Sequence, residues 1–287
     1  MRALCATRER EPMTKSIVPG RFDGKVMIIT GAARGIGRAT ALRVAAEGAK
    51  LVLADRLAEE GARTLAEVQA VAPDALFLPL DVSVEENAQA MVARAVEAFG
   101  RLDVAVNNAG VMGQPDNVHN LTKEQMDYTM ANNLYTVFFC AKHELRQFMV
   151  QGDGGVIVNV ASIAGMTGLP GNPAYVASKH AVNGLTKNLA LDYARFGIRV
   201  NSVNPAGTAT PMVEEAYAYV MEKQQAARAA GASAEEAGSM AGQKTQSMLE
   251  REATAEEQAA SILFLASDDA SHMTGEIVAT DGGWTSF

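Results

Sequence analysis

The chain has 287 residues, a length that lies between one large α/β domain and two small domains. Apolar residues make up 48% and charged residues 20%, which is typical of a globular protein with a sizeable core. The formal net charge of −8 repels phosphate backbones and anionic membrane surfaces, and no basic stripe offsets it. Composition therefore argues against a nucleic-acid-binding protein and against a membrane-surface protein.

Cysteine usage and targeting signals indicate the compartment. The two cysteines are Cys5, in a polar N-terminal tail, and Cys140, in an apolar helical run, so we expect no disulfide framework and a reducing environment. The longest uncharged run, residues 154–178, contains five Gly and two Pro and is not a membrane helix. The N-terminus lacks the apolar core of a signal peptide. The sequence predicts a soluble, cytoplasmic protein.

From Lys25 onward, short apolar runs alternate with longer helical segments. The runs predicted to be strands are Val26–Thr30, Leu51–Ala54, Leu76–Leu80, Val104–Val106, Val156–Val160, Ile198–Val203 and Glu276–Ala279. The segments with helical spacing are Ile36–Glu47, Ala58–Val71, Glu85–Phe99, Lys123–Val150, Ala174–Arg195 and Ala255–Ala266. This alternation predicts one doubly wound, mostly parallel α/β sheet of seven strands with helices on both faces.

Two segments lie outside this repeat. Residues 1–21 are polar and patternless, so we predict a disordered tail before a domain spanning residues 22–287, and Met13 is an alternative start. Residues 212–250 are rich in Ala, Glu, Gln and Met, with Gly231 and Gly242 as interruptions. This composition predicts two short helices that form a substrate lid, with a solvated helical hairpin as the alternative.

A glycine-rich loop, Thr30-Gly31-Ala32-Ala33-Arg34-Gly35-Ile36-Gly37, joins the first strand to the first helix. Its glycines permit a tight turn and close approach to a pyrophosphate, which the helix N-terminus would bind. A purely structural turn is the alternative. Asp55, which follows the second strand, can accept hydrogen bonds from the adenosine ribose and would repel a 2′-phosphate, which favours NAD. Arg34 and Arg56 favour NADP, since either could bind that phosphate.

Other polar segments end at the same edge of the predicted sheet. Asp81-Val82 follows the third strand, and Asn107-Asn108-Ala109-Gly110 follows the fourth. Tyr175 and Lys179 lie four residues apart on one helix face, where an ammonium is expected to lower the phenol pKa and make Tyr175 a usable acid/base. An incidental helix pair is the alternative. Ser162 adds a hydroxyl at this edge.

Together these residues closely resemble the classical short-chain dehydrogenase/reductase family over nearly all of residues 22–287. The motifs that carry the resemblance are Thr30-Gly31-x-x-x-Gly35-x-Gly37, Asn107-Asn108-Ala109-Gly110, Asn133, Ser162, Tyr175-x-x-x-Lys179, Asn204-Pro205 and the ending Thr274-Gly275-Glu276 through Asp281-Gly282-Gly283-Trp284. The resemblance implies a Rossmann fold and an NAD(P)-dependent oxidoreductase acting on CH–OH groups. It also implies a homo-oligomer, usually a tetramer, assembled through the helices at Lys123–Val150 and Ala174–Arg195.

The resemblance also implies a role for individual residues. Tyr175 would be the general acid/base, Lys179 would hold the nicotinamide ribose, and Ser162 would hydrogen-bond the substrate oxygen. Asn133 would position a water between Lys179 and solvent, which completes a catalytic set of Asn133, Ser162, Tyr175 and Lys179. The implied cofactor-binding residues are Gly31, Arg34, Gly35, Ile36, Gly37, Asp55, Asp81, Val82, Asn108, Ala109, Gly110, Tyr175, Lys179, Pro205, Thr208 and Thr210.

The chain departs from the family at Ala206, where Pro-Gly is usual after the sixth strand. A methyl group there would be strained if the position needs a positive φ, unless Gly207 takes up the turn. The four histidines show no metal-ligand spacing, so we expect no metal. Met166 and Met212 are candidates for walls of the substrate pocket, with core packing as the alternative.

The expected cleft walls are residues 109–115, 154–178 and 201–213. None of them carries an Arg or Lys, so an anionic substrate has no fixed partner there, although the lid carries Lys223, Arg228 and Lys244. The opening segment resembles NAD-linked enzymes that oxidise cis-dihydrodiols of ring carboxylates, and general cyclic-alcohol dehydrogenases share its features. We therefore expect NAD-dependent oxidation of a cyclic or ring-derived secondary alcohol. The alternatives are an NADPH-dependent 3-oxoacyl-[acyl-carrier-protein] reductase and a catalytically silent, cofactor-sensing protein of this fold.

Overall fold

The structure is a computed structural model that describes residues 17–229, 231 and 247–286. Cys5 and most of the predicted tail lie outside these residues, as do Gly242 and Lys244 of the predicted lid. The strands are β1 (Val26–Thr30), β2 (Lys50–Asp55), β3 (Leu76–Pro79), β4 (Val104–Asn107), β5 (Gly155–Val160), β6 (Ile198–Pro205) and β7 (Ile277–Thr280). The α-helices are α1 (Gly35–Ala46), α2 (Ala58–Gln69), α3 (Glu85–Phe99), α4 (Lys123–Met130), α5 (Thr136–Gln151), α6 (Pro173–Tyr193), α7 (Pro211–Ala229) and α8 (Ala255–Ala266).

The seven strands form one sheet in the order β3-β2-β1-β4-β5-β6-β7, and every pairing is parallel. Parallel pairing follows because each strand is followed by a helical crossover, which returns the chain to the same end of the sheet. The order reverses between β1 and β4, so the loops after these strands diverge and leave a crevice. The predicted doubly wound Rossmann fold is confirmed.

The core consists of one apolar layer on each face of the sheet. Successive side chains of a strand point to opposite faces, so Met27 and Ile29 pack beneath α1 and α8 while Val26 and Ile28 face α3 and α5. All four side chains are essentially inaccessible to solvent. Because both faces are covered, the inner strands are continuous apolar runs, which is the pattern that made them recognisable in the sequence.

The predicted helix at Lys123–Val150 contains an interruption. A π-helical turn at Ala131–Tyr135 separates α4 from α5. This turn adds a residue to the helical repeat, and such turns are frequent at functional sites. It contains Asn133, whose side chain is completely buried. The apolar spacing was correct for a helix, but the spacing alone did not show the extra residue.

The predicted lid also differs from its expectation. In place of a short first helix, α7 is a 19-residue helix at Pro211–Ala229. The second expected helix falls largely in residues 232–246, which lie outside the described residues. The possible strain at Ala206 is absent, because its φ is not positive. Among the described residues, Glu250 is the only non-glycine residue with a positive φ, at 55°.

Exposed apolar side chains lie on α5 and α6, the two helices through which the family resemblance implies assembly. Phe138 and Val150 belong to α5 and Leu191 to α6, and Leu191 is 81% exposed. None of the helices within residues 17–229 and 247–286 is long and apolar enough to cross a membrane.

Glu144 on α5 is a fully buried carboxyl group in the apolar layer next to Cys140. Asn107 Nδ2 donates to its Oε2 at 3.1 Å, whereas Glu144 Oε1 and Asn107 Oδ1 have no hydrogen-bond partner among the described residues. Burial raises the pKa of Glu144 to about 8, and the hydrogen bond from Asn107 opposes this only in part. At neutral pH the carboxyl therefore keeps its proton and is a neutral O–H group within the apolar layer.

We expect Glu144→Gln to stabilise the protein at alkaline pH. The unfolded carboxyl loses its proton near pH 4.5 and the folded one near pH 8, so Glu144 makes the folded state progressively less stable as pH rises between these values. Gln keeps the shape and the donor without titrating. The free energy of unfolding of the variant, measured with urea, should exceed that of the parent by about 3–4 kcal/mol more at pH 8 than at pH 5. Glu86→Gln, at an exposed position on α3, is the matched control and should show no such pH-dependent gain.

Candidate active site

The carboxyl ends of the strands border one large cavity of about 830 Å³. The glycine loop, the ends of β2, β4 and β5, the start of α6 and the first half of α7 line it. Fifteen of the sixteen predicted cofactor-binding residues lie on its wall; Gly37 lies behind it. The crevice forms here because the strand order reverses between β1 and β4.

The glycine loop places bare backbone against this cavity. A Cβ on Gly37 would lie 2.1 Å from the carbonyl oxygen of Gly31, and one on Gly31 would lie 2.7 Å from Asn108 Nδ2. Gly31 also has a φ of 66°, a conformation that favours glycine. Arg34 occupies the N-cap of α1 but supplies no side-chain cap, so the first N–H groups of α1 remain available. These features fit the pyrophosphate of a dinucleotide.

Thr30 and Asn108 fix the floor of the crevice. Thr30 Oγ1 accepts hydrogen bonds from the backbone N–H groups of Asn108 and Ala109 at 3.0 and 3.1 Å. Asn108 Nδ2 donates in turn to the carbonyl oxygens of Thr30 and Gly31. These bonds cross-link the end of β4 to the glycine loop. They require an amide side chain at position 108 that is small enough to lie beneath Gly31.

Asp55 ends β2 on the wall of the cavity, three strands away in the sheet from β5, which Ser162 follows. Its Oδ2 accepts a hydrogen bond from the N–H of Ala33 at 3.0 Å, and its Oδ1 accepts one from the N–H of Leu57 at 3.0 Å. The carboxylate is thus held rigidly at the glycine loop. Asp81 follows β3 and is oriented by Ser83, whose N–H and hydroxyl both donate to Asp81 Oδ1.

Ser162, Tyr175 and Lys179 converge on the same cavity from two elements. Ser162 follows β5, and its Oγ accepts a hydrogen bond from the N–H of Ala164 at 3.1 Å. Tyr175 and Lys179 lie one turn apart on α6, with Lys179 Nζ 5.6 Å from the Tyr175 ring centre. Both are more than nine-tenths buried. Pro173 at the start of α6 suits its first turn, where no backbone donor is needed.

The electrostatics of this pair differ from the sequence-based expectation. Burial raises the pKa of Tyr175, and a hydrogen bond with Ser162 partly offsets the effect. Burial also lowers the pKa of Lys179 to about 8. The expected lowering of the phenol pKa by the ammonium was wrong for the protein alone, because Lys179 Nζ donates to the carbonyl oxygen of Val160 at 3.0 Å and desolvation dominates both groups.

Asn133 is close to this group but does not line the cavity. Its Oδ1 accepts from the N–H of Val111 at 2.8 Å, and its Nδ2 donates to the Val111 carbonyl oxygen and to Ser178 Oγ. The side chain is therefore committed to protein partners and ties the loop after β4 to α6. Its implied role of positioning a water between Lys179 and solvent stays a prediction. A Cβ on Gly110 would lie 2.9 Å from Asn133 Oδ1, which explains a glycine there.

The remaining part of the cavity is largely apolar. Of the two predicted methionine walls, Met212 lines it and Met166 does not. Residues 154–159, 164–168 and 201–204 also lie off the wall, while 109–115 lie on it. The sequence reasoning missed Tyr128, Tyr217, Trp284 and Glu215, which come from α4, α7 and the C-terminal segment. Their positions depend on tertiary contacts that no local motif announces. No cluster of potential metal ligands occurs within residues 17–229 and 247–286.

The predicted lid cations have other partners or positions. Lys223 Nζ forms an ion pair with Asp116 Oδ2 in the loop after β4. Arg228 lies in the last turn of α7, outside the cavity wall. Neither therefore extends into the cavity to bind an anionic substrate.

The chain is similar in sequence to known dehydrogenases and in fold to solved structures. A 3β-hydroxysteroid dehydrogenase of Mediterraneibacter gnavus is 45% identical over 94% of this chain and 98% of its own. The crystal structure of a levodione reductase superposes with a TM-score of 0.83 and 37% identity, covering 92% of this chain and 99% of that one. A short chain dehydrogenase from Mycobacterium paratuberculosis bound to NAD gives a TM-score of 0.84 at 30% identity, over 93% of this chain and 100% of that one.

The family profile described as short chain dehydrogenase matches residues 25–220, which run from β1 into α7. That range contains the glycine loop, Asp55 and the residues Ser162, Tyr175 and Lys179. The fold, the cavity and these similarities together lead to one conclusion: the chain belongs to the short-chain dehydrogenase family, whose members are nicotinamide-dependent oxidoreductases that act on CH–OH groups.

Proposed function

We propose that this protein is an NAD-dependent dehydrogenase of a cyclic or ring-derived secondary alcohol. The observation that carries the proposal is a single cavity lined by Ser162, Tyr175 and Lys179 beyond β5 and by the fixed Asp55 carboxylate at the end of β2, three strands away in the sheet. The first three groups suit proton transfer at an alcohol oxygen. The carboxylate suits a ribose with free hydroxyls and opposes a 2′-phosphate.

The catalytic roles follow from the chemistry of the three side chains. When bound beside Tyr175 and Lys179, a nicotinamide cofactor would supply the hydride acceptor for alcohol oxidation and the hydride donor for ketone reduction. Tyr175 exchanges the proton of the substrate hydroxyl as general acid or base. Ser162 Oγ accepts from the N–H of Ala164, and its hydroxyl, which is hydrogen-bonded with Tyr175, is placed beside the reacting oxygen and can stabilise it as charge develops there. Lys179 is charged below about pH 8 and supplies the positive field that favours the phenolate during the reaction.

Three observations favour a ring substrate. Met212, Val213 and Tyr217 of α7 contribute largely apolar side chains to the cavity wall. The similar protein of M. gnavus is called a 3β-hydroxysteroid dehydrogenase, and a hydroxysteroid carries its hydroxyl on a ring. The cations that line the cavity are Arg34 in the glycine loop, Arg56 after β2 and Lys179 on α6. The apolar side chains of α7 therefore have no cation among them to bind an anionic substrate. Because α7 supplies these side chains, we assign residues 212–229 to a substrate lid.

A turnover screen of the purified protein tests this assignment. We expect NAD-dependent oxidation of ring alcohols such as cyclohexanol, 3β-hydroxysteroids or ring cis-dihydrodiols, with kcat/KM at least about tenfold above that of an open-chain secondary alcohol of equal carbon number, the usual scale of pocket discrimination. Strict NADPH-dependent reduction of 3-oxoacyl thioesters would contradict it in favour of a reductase. Cofactor binding without turnover of any of these compounds would favour a cofactor-sensing protein.

A further inference from the structure

Arg34 of the glycine loop is paired with the lid. Its Nη1 contacts Glu215 Oε1, and its Nη2 donates to Glu215 Oε2 at 2.9 Å. Glu215 lies in the second turn of α7, 181 residues away in sequence. Both residues line the cavity, and their side chains are 38% and 59% exposed. The pair therefore joins the cofactor loop to the lid helix at the mouth of the site.

This pairing uses the atoms with which Arg34 would bind a phosphate. A guanidinium binds carboxylates and phosphates through a planar fork of two N–H donors. Both Nη atoms of Arg34 are engaged by the Glu215 carboxylate. Asp55 opposes a 2′-phosphate by direct repulsion, but it does not touch Arg34 in the described contacts. The attraction that Arg34 could offer to such a phosphate is thus controlled by a different residue, on α7.

A second ion pair fastens α7 independently. Lys223 Nζ contacts Asp116 Oδ2, and Asp116 Oδ1 also accepts from the N–H of Asn117 and from Asn120 Nδ2. Glu215 and Lys223 are eight residues apart, about 12 Å along a helix. α7 consequently bridges the glycine loop and the loop after β4. Breaking the Lys223 pair loosens the same helix without changing the partner of Arg34.

We propose that Glu215 determines cofactor specificity by acting through Arg34. It holds the guanidinium on the lid and so withholds from NADP the one cation of the glycine loop that could bind the 2′-phosphate. Glu215 is a positioning residue in this scheme, because it acts on the cofactor through Arg34. The inference rests on the proposed preference for NAD and adds a second determinant to Asp55.

The test compares the binding of ADP-ribose and 2′-phospho-ADP-ribose by isothermal titration calorimetry, with no substrate or turnover involved. In Glu215→Gln, Arg34 is released, so we expect the affinity for the 2′-phosphorylated ligand, relative to ADP-ribose, to rise about 3- to 5-fold, the effect of one exposed ion pair. The ratio removes any effect that Glu215 has on the shared pyrophosphate. Lys223→Gln is the matched control, and we expect its ratio to equal that of the parent.

A double-mutant cycle shows whether Arg34 carries the effect. In an Arg34→Gln background, Glu215→Gln should leave the ratio unchanged, because the cation to be released is gone. The proposal is overturned if Glu215→Gln does not change the ratio in the parent, if it changes the ratio equally without Arg34, or if Lys223→Gln has the same effect. The proposed function is tested separately by the ratio of the parent protein: a preference for the 2′-phosphorylated ligand there contradicts the NAD assignment, while the change caused by Glu215→Gln still tests this inference.

Discussion

Tyr175→Phe should lower kcat/KM for alcohol oxidation by about 10²–10⁴-fold, the range that a positioned general acid or base contributes. Phe keeps the aromatic ring that α6 presents to the cavity, and it removes the hydroxyl that exchanges the proton. Steady-state kinetics with the best ring alcohol found by the screen measures the effect. Binding of ADP-ribose should stay within about twofold of the parent value, because Tyr175 is hydrogen-bonded with Ser162 beyond β5, three strands away from Asp55 at the end of β2.

Tyr193→Phe is the matched control for this substitution. Tyr193 is the last residue of α6, outside the cavity wall, so it shares the helix of Tyr175 but not its surroundings. We expect its kcat/KM to remain within about twofold of the parent value, as for a substitution away from the site. Full activity of Tyr175→Phe would remove Tyr175 from the mechanism. Loss of ADP-ribose binding together with activity would indicate a structural role instead.

Asp55→Asn should raise the ratio of kcat/KM with NADP to that with NAD by about 10²-fold. A carboxylate against a phosphate costs several kcal/mol, and each 1.4 kcal/mol is a factor of about ten. Asn is preferred to Ala because its amide oxygen can keep one of the hydrogen bonds from Ala33 and Leu57 that hold the loop. The comparison uses both cofactors with one alcohol.

Asp74→Asn provides the control for this charge change. Asp74 is exposed in the connection between α2 and β3 and does not line the cavity. The substitution removes the same charge from the protein, but at a position where solvent screens it from the cavity. We therefore expect the ratio of kcat/KM with NADP to that with NAD to stay within about twofold of the parent value. If Asp55→Asn leaves the ratio unchanged as well, the carboxylate does not select the cofactor. The test of Glu215 does not depend on that result, because it measures the change that Glu215→Gln causes in the ratio of the two binding affinities.

The sequence predicted the sheet well because its strands are buried on both faces. A strand covered on two sides is a continuous apolar run, and Val26–Thr30 was located to the residue on that basis. Glu85–Phe99 and Ala255–Ala266 were also located to the residue, since acidic first turns and a capping threonine mark their starts. Strand ends were less exact: β6 continues to Pro205, two residues beyond the predicted end.

The electrostatic state of the site could not be predicted in the same way. Four-residue spacing correctly placed Tyr175 and Lys179 on one face of α6, yet it gave the wrong direction for the phenol pKa. The direction depends on how deeply the pair is buried and on the hydrogen bond from Lys179 to the carbonyl oxygen of Val160, the last residue of β5. Burial is a property of the packed molecule, and spacing contains no information about it.

By itself, the sequence determined the fold, the family and the side chains that converge at the carboxyl ends of the strands. These follow from local rules, because helix and strand periods, glycine loops and four-residue spacings are all read within a few positions. Only the tertiary structure decided which side chains face one another across the cavity. The pair between Arg34 and Glu215 joins residues 181 positions apart, and the fully buried Glu144 depends on Asn107 of a neighbouring strand. Such contacts arise from the packing of α5 against one face of the sheet and of α7 along the cavity, and no local pattern encodes them.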